Sequence, residues 1–172
     1  MIEERLIARP LPGLVPVRDA RGPLRVLIAS LAPGGAERIV VEWVGAELAR
    51  GRSVDLAVLH PRQHTIAPPR GLKLRVRERE SPEEFLSALA RDWRSDSAPV
   101  STHLVPDHFL AILWSAGVRT VPTVHNAREG WRNDPRAWKR EHVPLAIACA
   151  DSVRDELIAS WPARSRCGSW RA

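Results

Sequence analysis

The sequence predicts an α/β fold: a Rossmann-like, doubly wound and mainly parallel sheet of about six strands. Two observations lead to this prediction. Short apolar runs alternate along the chain with segments whose apolar residues recur at helical spacing. The first apolar run ends in a glycine turn that opens a helix, which is the order of a βαβ unit. With 172 residues, the chain is long enough for one domain with a buried core.

The first unit spans residues 24–59 and is the most strongly patterned part of the chain. Leu24 to Leu31 is an apolar run that ends at Pro33-Gly34-Gly35, which is typical of a strand buried on both faces. Residues 36–50 follow as a helix, and Gly51 is placed to end it. Val54 to Leu59 is the second strand. The predicted apolar face of the helix consists of Ile39, Val40, Trp43, Val44 and Leu48.

The alternation continues through the middle of the chain. Leu72 to Val76 is the third predicted strand. Ser81-Pro82-Glu83-Glu84 then matches a capping box with proline at the first helical position, so a helix is expected to run to about Trp93. Val100 to Val105 is the fourth strand. A helix is expected from Pro106-Asp107 through Ala116, where Gly117 stops it.

Two more strands complete the predicted sheet. Arg119 to Val124 is the fifth strand and leads into His125-Asn126. A short helix is expected near Asp134-Pro135. Leu145 to Cys149 is the sixth strand, and Asp151 to Ser160 is the last helix. The predicted domain therefore covers residues 24–160.

The two ends of the chain lack this pattern. Residues 1–23 are rich in proline and arginine and show no periodicity, which predicts a flexible leader. Residues 161–172 form an irregular tail with no stop element, and a truncated or frame-shifted end is expected there.

Composition excludes several classes of protein. No apolar run approaches the roughly 20 residues of a membrane-spanning helix, and the N-terminal apolar stretch is too short for a secretory signal. Two cysteines, Cys149 and Cys167, support neither a disulfide framework nor a zinc site, so a reducing cytoplasm is expected. The net charge is +6, and all but two of the 26 basic residues are arginines. Because the arginines are scattered, with no run of five or more, nucleic acid ranks last among the expected partners.

Chemistry in an open α/β sheet is expected at the carboxyl ends of the strands. Gly34 and Gly35 join a strand to a helix N-terminus, where free backbone N–H groups suit a phosphate. The sequence lacks both the G-x-G-x-x-G pattern and the lysine of a P-loop, so a plain tight turn is the alternative.

Histidines lie at or near the carboxyl ends of three of the predicted strands. His125 and Asn126 end the fifth strand, where a histidine can bind a polar ligand, although a surface loop residue is the alternative. His103 can instead be a half-buried strand residue, and His60 and His64 are expected in a loop. No pair of these histidines has metal-ligand spacing on a helix, and no metal is expected.

A basic segment runs from Arg128 to Arg140 and includes Trp131 and Trp138. Basic residues with tryptophan suit peripheral contact with an anionic membrane surface, here the inner face of the membrane. We favour the alternative, a solvated face whose tryptophans pack on the domain.

Three ordered stretches resemble family 4 glycosyltransferases: Gly34-Gly35-Ala36-Glu37-Arg38 after the first strand, Val121-Pro122-Thr123-Val124-His125-Asn126, and Ile147-Ala148-Cys149-Ala150-Asp151-Ser152-Val153-Arg154-Asp155-Glu156-Leu157. They fall within residues 24–160. The resemblance implies one half of a GT-B fold, the N-terminal domain that mainly holds the acceptor. A second domain would grip the nucleotide-sugar donor.

The resemblance also implies a function and its residues. Members transfer a sugar to an acceptor, such as a sugar or a lipid, with retention of configuration and without metal or cofactor. Gly34 and Gly35 would face the donor diphosphate, and His125 would lie near the transferred sugar as the catalytic residue. His103, Asn126 and Glu37 are the further candidates for the cleft.

The sequence departs from the family in two respects. Ala150 stands where a serine usually ends the last strand, and the E-x7-E glutamate pair of the donor domain has no counterpart. The isolated chain is therefore expected to be nearly inactive, because donor positioning supplies much of the rate. The alternatives are a non-catalytic nucleotide- or phosphate-binding module, and a basic binder of membrane surfaces or nucleic acid.

Overall fold

The structure is a computed structural model that describes residues 22–61, 66–95, 98–131 and 133–160. Nearly all of the predicted leader and the whole predicted tail lie outside these ranges. The strands are β1 (Leu24–Ile28), β2 (Val54–Val58), β3 (Lys73–Val76), β4 (Val100–His103), β5 (Thr120–Val124) and β6 (Ile147–Ala148). The helices are α1 (Gly35–Ala49), α2 (Pro82–Trp93), α3 (Asp107–Ser115) and α4 (Asp151–Ser160), with short 3₁₀ turns at Arg128–Gly130 and Pro135–Ala137.

The six strands form a single parallel sheet in the order β3-β2-β1-β4-β5-β6. In register, Val26 of β1 lies beside Leu56 of β2 on one side and Ser101 of β4 on the other. This confirms the predicted Rossmann-like α/β arrangement. The strands run outwards from β1 to β3 on one side and from β4 to β6 on the other, so the order of the chain reverses between β1 and β4. Such a switch point opens a crevice at the carboxyl ends of the strands.

The core lies on both faces of the sheet. Alternate residues of β1 point to opposite faces, and all five of its residues are buried, as the continuous apolar run predicts. On one face, Val40 and Val44 of α1 pack against β1 and β2. On the other face, α2 and α3 cover Leu27 with a cluster that includes the fully buried Trp93.

Local sequence signals fix the helix ends. Ser81 Oγ accepts a hydrogen bond from the Glu84 backbone N–H, and the Glu84 side chain accepts one from the Ser81 N–H, which confirms the capping box. Gly51 and Gly117 follow α1 and α3 with φ values of 79° each, a conformation that favours glycine.

The following details differ most from the predictions. β1 ends at Ile28 rather than Leu31. Ile39 is 54% exposed, because the buried stripe of α1 runs through Val40 and Val44 and Ile39 lies to one side of it. β4 ends at His103 rather than Val105, because Leu104 adopts a left-handed φ of 59° that breaks the extended strand. β6 has two residues instead of five, and it pairs only with β5 among the described residues.

Candidate functional site

The candidate site lies at the carboxyl edge of the sheet, around the β1–β4 switch point. The glycine turn follows β1, His103 is the last residue of β4, and His125 directly follows β5. Parallel strands end at the same edge, so these three segments approach one another although up to 90 residues separate them in sequence.

The glycine turn presents the N-terminus of α1. Gly34 is extended, and no side chain caps the helix there, so the first-turn amides are not satisfied by a capping side chain. A Cβ added at Gly35 would meet nothing within 4 Å, whereas one added at Gly34 would overlap Glu37 Oε2. The Glu37 carboxylate therefore packs back over the turn, close to the positive end of the helix.

Two histidines form the centre of the site. His103 Nδ1 and His125 Nε2 lie 3.0 Å apart, a hydrogen-bond distance. On its other side, His103 Nε2 lies 3.0 Å from Ser101 Oγ. His103 is only 4% exposed and His125 is half-buried. The three side chains thus form a continuous chain from the interior of β4 to the end of β5.

Burial keeps both imidazoles neutral. It lowers the pKa of His103 from 6.5 to about 3, and a positive charge on His125 would lower it further. Burial also lowers the pKa of His125, while the negative charge of Glu37 acts weakly in the opposite direction. At pH 7 each ring therefore carries one N–H and one lone pair.

Neighbouring residues hold this pair in place. The Trp43 ring of α1 lies 5.9 Å from the His103 ring, centroid to centroid. Cys149, which follows β6, donates its Sγ–H to the His125 carbonyl oxygen at 3.1 Å. Leu104 holds its strained backbone directly after His103. Strained backbone is common at functional sites, so the conformation of Leu104 supports the carboxyl edge as the location of the candidate site.

A small cavity adjoins the pair beneath the loop of residues 126–138. It is lined by Thr102, Leu104, Val105, Pro122, Thr123, Val124, His125, Asn126, Gly130, Trp131, Asn133, Pro135 and Trp138. Trp131 Nε1 donates to the Asn126 carbonyl oxygen at 2.8 Å, which ties the loop to the end of β5. The Asp107 carboxylate of α3 anchors the other end of the loop by accepting from Trp138 Nε1 at 2.9 Å.

The structure brings most of the predicted residues together. His103 and His125 are in contact, Glu37 lies at the glycine turn within electrostatic reach of His125, and Asn126 lines the adjoining cavity. His60 instead lies beside Phe109, with a ring distance of 5.7 Å. His64 lies outside the described residues.

Sequence reasoning missed Ser101, Trp43 and the strain at Leu104. Ser101 precedes His103 by two residues on a strand, and this spacing places both side chains on the same face. That signal was available. The sequence predicted Trp43 on the apolar face of α1 but did not predict its contact with His103. Nothing in a leucine indicates a left-handed backbone.

The basic segment from Arg128 to Arg140 packs its tryptophans on the domain. Trp138 is 3% exposed, and Trp131 is half-buried against the same apolar cluster. Arg128, Lys139 and Arg140 are exposed. Arg136 pairs with Asp134 at 2.8 Å.

Neither a metal centre nor a membrane span is found in the described ranges. Within them, no group of three or more histidine, cysteine, aspartate or glutamate side chains is placed to hold a metal ion. None of the described helices combines the length and apolar character needed to cross a membrane. The chain matches no protein-family model, no curated protein and no solved structure.

Proposed function

We propose that this chain is the acceptor-side half of a retaining, metal-independent glycosyltransferase, with His125 at its reaction centre. One observation carries the proposal. The hydrogen-bonded pair of His103 and His125 stands at the switch-point edge, next to a glycine turn that opens a helix. This edge is where an open α/β sheet binds its ligands.

The three stretches that resemble family 4 glycosyltransferases support the proposal by their positions. The Gly34–Arg38 stretch opens α1, the stretch ending at Asn126 ends β5, and the third stretch runs from β6 into α4. All three therefore reach the same edge of the sheet. The resemblance therefore places its residues at the edge where the fold binds ligands, as the proposal requires.

The geometry suits transfer from a nucleotide-sugar. Glycosyl transfer leaves a negatively charged diphosphate, and the uncapped N-terminus of α1 offers backbone N–H groups and positive dipole charge to such a group. His125, neutral and half-buried, can hydrogen-bond a sugar oxygen without adding charge. The Glu37 carboxylate, which covers Gly34, would have to move when a diphosphate binds, because like charges repel.

The same reasoning requires a donor domain. The E-x7-E pair of the resemblance is absent from these 172 residues, and leaving-group stabilisation supplies much of the rate in such transfers. We therefore expect almost no sugar transfer by the purified chain alone. A readily measured transfer rate without any partner would contradict this requirement.

The role of His125 can be tested by joining the chain to the donor domain of a family 4 glycosyltransferase. In the joined enzyme, His125→Ala is expected to lower turnover by about a hundredfold, the usual cost of losing one oriented donor. His142→Ala is the matched control, because the His142 carbonyl accepts from the Thr120 N–H at the opposite, amino end of β5. Circular dichroism checks that both variants are folded. Unchanged turnover in His125→Ala would remove His125 from the reaction centre.

Gly35 tests the diphosphate site separately. Nothing lies within 4 Å of a Cβ at this position, so Gly35→Val can fold while its side chain blocks close approach of a ligand to the backbone. The expected result in the joined enzyme is weaker use of the nucleotide-sugar. Donor affinity equal to that of the unsubstituted enzyme would exclude the turn as the phosphate site.

A nucleotide- or phosphate-binding module without transferase activity is the second candidate. The uncapped helix N-terminus with an open Gly35 favours it. This candidate predicts that inorganic phosphate and nucleotides bind at Gly35 whether or not a sugar is attached, and that His125→Ala leaves that binding unchanged.

A further inference from the structure

The hydrogen-bonded series Ser101–His103–His125 constrains the tautomer of His125 as well as its position. The two contacts of His103, to Ser101 Oγ and to His125 Nε2, are both 3.0 Å long and engage both of its ring nitrogens. Each contact needs one hydrogen atom between its two heavy atoms. The protonation pattern of one ring therefore constrains the other.

Counting hydrogens leaves two arrangements for the neutral pair. In the first, His103 Nδ1–H donates to His125 Nε2, so the single hydrogen of His125 must sit on Nδ1. In the second, His125 Nε2–H donates to His103 Nδ1, and the hydrogen of His103 sits on Nε2. Both rings thus always carry their hydrogen on the same kind of nitrogen.

Ser101 selects between the two arrangements. In the first, the Ser101 hydroxyl donates to His103 Nε2 and its hydrogen is satisfied. In the second, Ser101 accepts from His103 Nε2–H, and its own hydrogen needs another acceptor. Within the described part of the chain, Ser101 Oγ has no other hydrogen-bond partner, and the residue is buried. An unsatisfied buried donor is costly, so the first arrangement is favoured.

We propose that Ser101 and His103 are positioning residues that hold His125 in its Nδ1–H form, so that His125 offers a hydrogen-bond donor to a ligand oxygen. This deepens the proposed function and rests on it for the identity of the site. His125 Nδ1 is bonded to no described residue, and the ring lines the cavity at the carboxyl edge. Under this arrangement His125 stabilises an oxygen by donating to it and does not remove a proton from a hydroxyl through Nδ1.

The test is a measurement of histidine tautomers by NMR on the full chain labelled with 15N-histidine. Long-range 1H–15N correlations distinguish Nδ1–H from Nε2–H rings without any substrate or sugar transfer. The expected result is an Nδ1–H ring at both His103 and His125, with a 15N–15N coupling across the hydrogen bond between His103 Nδ1 and His125 Nε2. An Nε2–H ring at His125, or different tautomers at the two rings, would overturn the proposal.

Two substitutions test the direction of the effect. Ser101→Ala removes the donating hydroxyl, and the Nε2–H fraction of both rings is expected to rise together. His103→Gln removes the δ nitrogen that contacts His125, so the coupling is lost and the Nε2–H fraction of His125 rises towards that of free histidine. Unchanged tautomers in Ser101→Ala would show that Ser101 does not set the tautomers. A change confined to His103 would show that the two rings are not coupled, and either result would overturn the proposal.

Thr102→Val is the matched control. Thr102 is the intervening residue on β4, is 2% exposed, and has a buried Oγ1 without a hydrogen-bond partner among the described residues. This isosteric change is expected to leave both tautomers as they are in the wild type, and a comparable shift would contradict the specific role of Ser101. If Ser101→Ala does not fold, the wild-type tautomers still decide the proposal. Because the tautomer measurement needs no turnover, it can contradict this proposal while the glycosyltransferase proposal stands. Equally, sugar transfer can prove absent while the tautomers are as proposed.

Discussion

At the scale of single residues, His103 links the site to the stability of the fold. Its pKa is lowered to about 3 in the folded chain, whereas the unfolded chain keeps a value near 6.5. Above pH 6.5 both states hold a neutral imidazole, and His103 adds no pH dependence. Between pH 6.5 and 3 the unfolded chain binds a proton that the folded chain does not, so stability falls as the pH falls.

This sign gives a prediction for urea unfolding. Between pH 7 and pH 5, His103 should account for a loss of about 2 kcal/mol in the free energy of unfolding, at up to about 1.4 kcal/mol per pH unit. His103→Gln removes the titrating group. Between pH 7 and pH 5, the free energy of unfolding of this variant should therefore fall by about 2 kcal/mol less than that of the wild type. An equal loss in the wild type and in His103→Gln would show that His103 is not held neutral by the fold.

Leu104 allows the backbone strain beside the site to be measured. Its φ of 59° is disfavoured for any residue with a Cβ, at about 1 kcal/mol. Leu104→Ala and Leu104→Gly both delete the side chain, but only glycine relieves the strain. The glycine variant should therefore be more stable than the alanine variant by about 1 kcal/mol in chemical denaturation. An alanine variant of equal or greater stability would contradict the strained conformation.

Residue-scale sequence reasoning identified the two histidines but not their contact. His103 and His125 were candidates because each lies near the carboxyl end of a predicted strand. Their hydrogen bond depends on the pairing of β4 with β5, which brings His103 beside Thr123 in register. That pairing is a property of the sheet rather than of either residue. The strain at Leu104 is likewise imposed by tertiary structure.

At the scale of elements, the loop of residues 126–138 depends on one carboxylate. Asp107, in the first turn of α3, accepts from Asn133 Nδ2 at 2.7 Å, from the Asp134 backbone N–H at 2.6 Å and from Trp138 Nε1 at 2.9 Å. These bonds hold the loop over the cavity that His125 lines. The loop is therefore positioned by α3, although it follows β5 in sequence.

Asp107→Ala is expected to destabilise the fold by about 2 to 3 kcal/mol, because it removes the shared acceptor of the hydrogen bonds from Asn133, Asp134 and Trp138. Urea unfolding monitored by tryptophan fluorescence measures the loss. Asp151→Ala is the control, since Asp151 also lies in a first turn but pairs with Arg154 on the surface. That change should have little effect on the free energy of unfolding, because the pair is exposed to solvent. Equal stability of the two variants would contradict the anchoring role.

Element boundaries were predictable where a local signal determines them. The capping box at Ser81 and the glycine at position 51 placed the start of α2 and the end of α1 correctly. The extent of β6 was overestimated, because this apolar run lies at an edge of the sheet, where it is neither paired along its whole length nor fully buried. Leu145 and Ile147 are each 45% exposed at this edge of the sheet. The 3₁₀ turn at Arg128–Gly130 carries no strong sequence signal and was not predicted.

At the scale of the whole molecule, the order of the strands determines where ligands can bind. The alternation of apolar runs and helices was sufficient to predict a parallel α/β sheet. The rule that ligands meet the carboxyl ends of the strands then gave the edge where the candidate site is expected. The order β3-β2-β1-β4-β5-β6 was not predicted from the sequence, since strand order depends on long-range pairing. The proposed function rests on the resemblance together with this geometry.

The central claim is that the carboxyl edge binds a nucleotide-sugar, with the diphosphate at the glycine turn and the sugar at His125. The most direct measurement is an NMR titration of the joined enzyme, with 15N label only in this chain, using several nucleotide-sugars, each compared with its own nucleoside diphosphate. Both ligands are expected to shift the amide of Gly35, and only the sugar-bearing ligand is expected to shift the imidazole of His125. A phosphate-binding module would instead give the Gly35 shift with no sugar-dependent change at His125. Shifts at the amino ends of the strands, or none at millimolar ligand, would contradict the site itself.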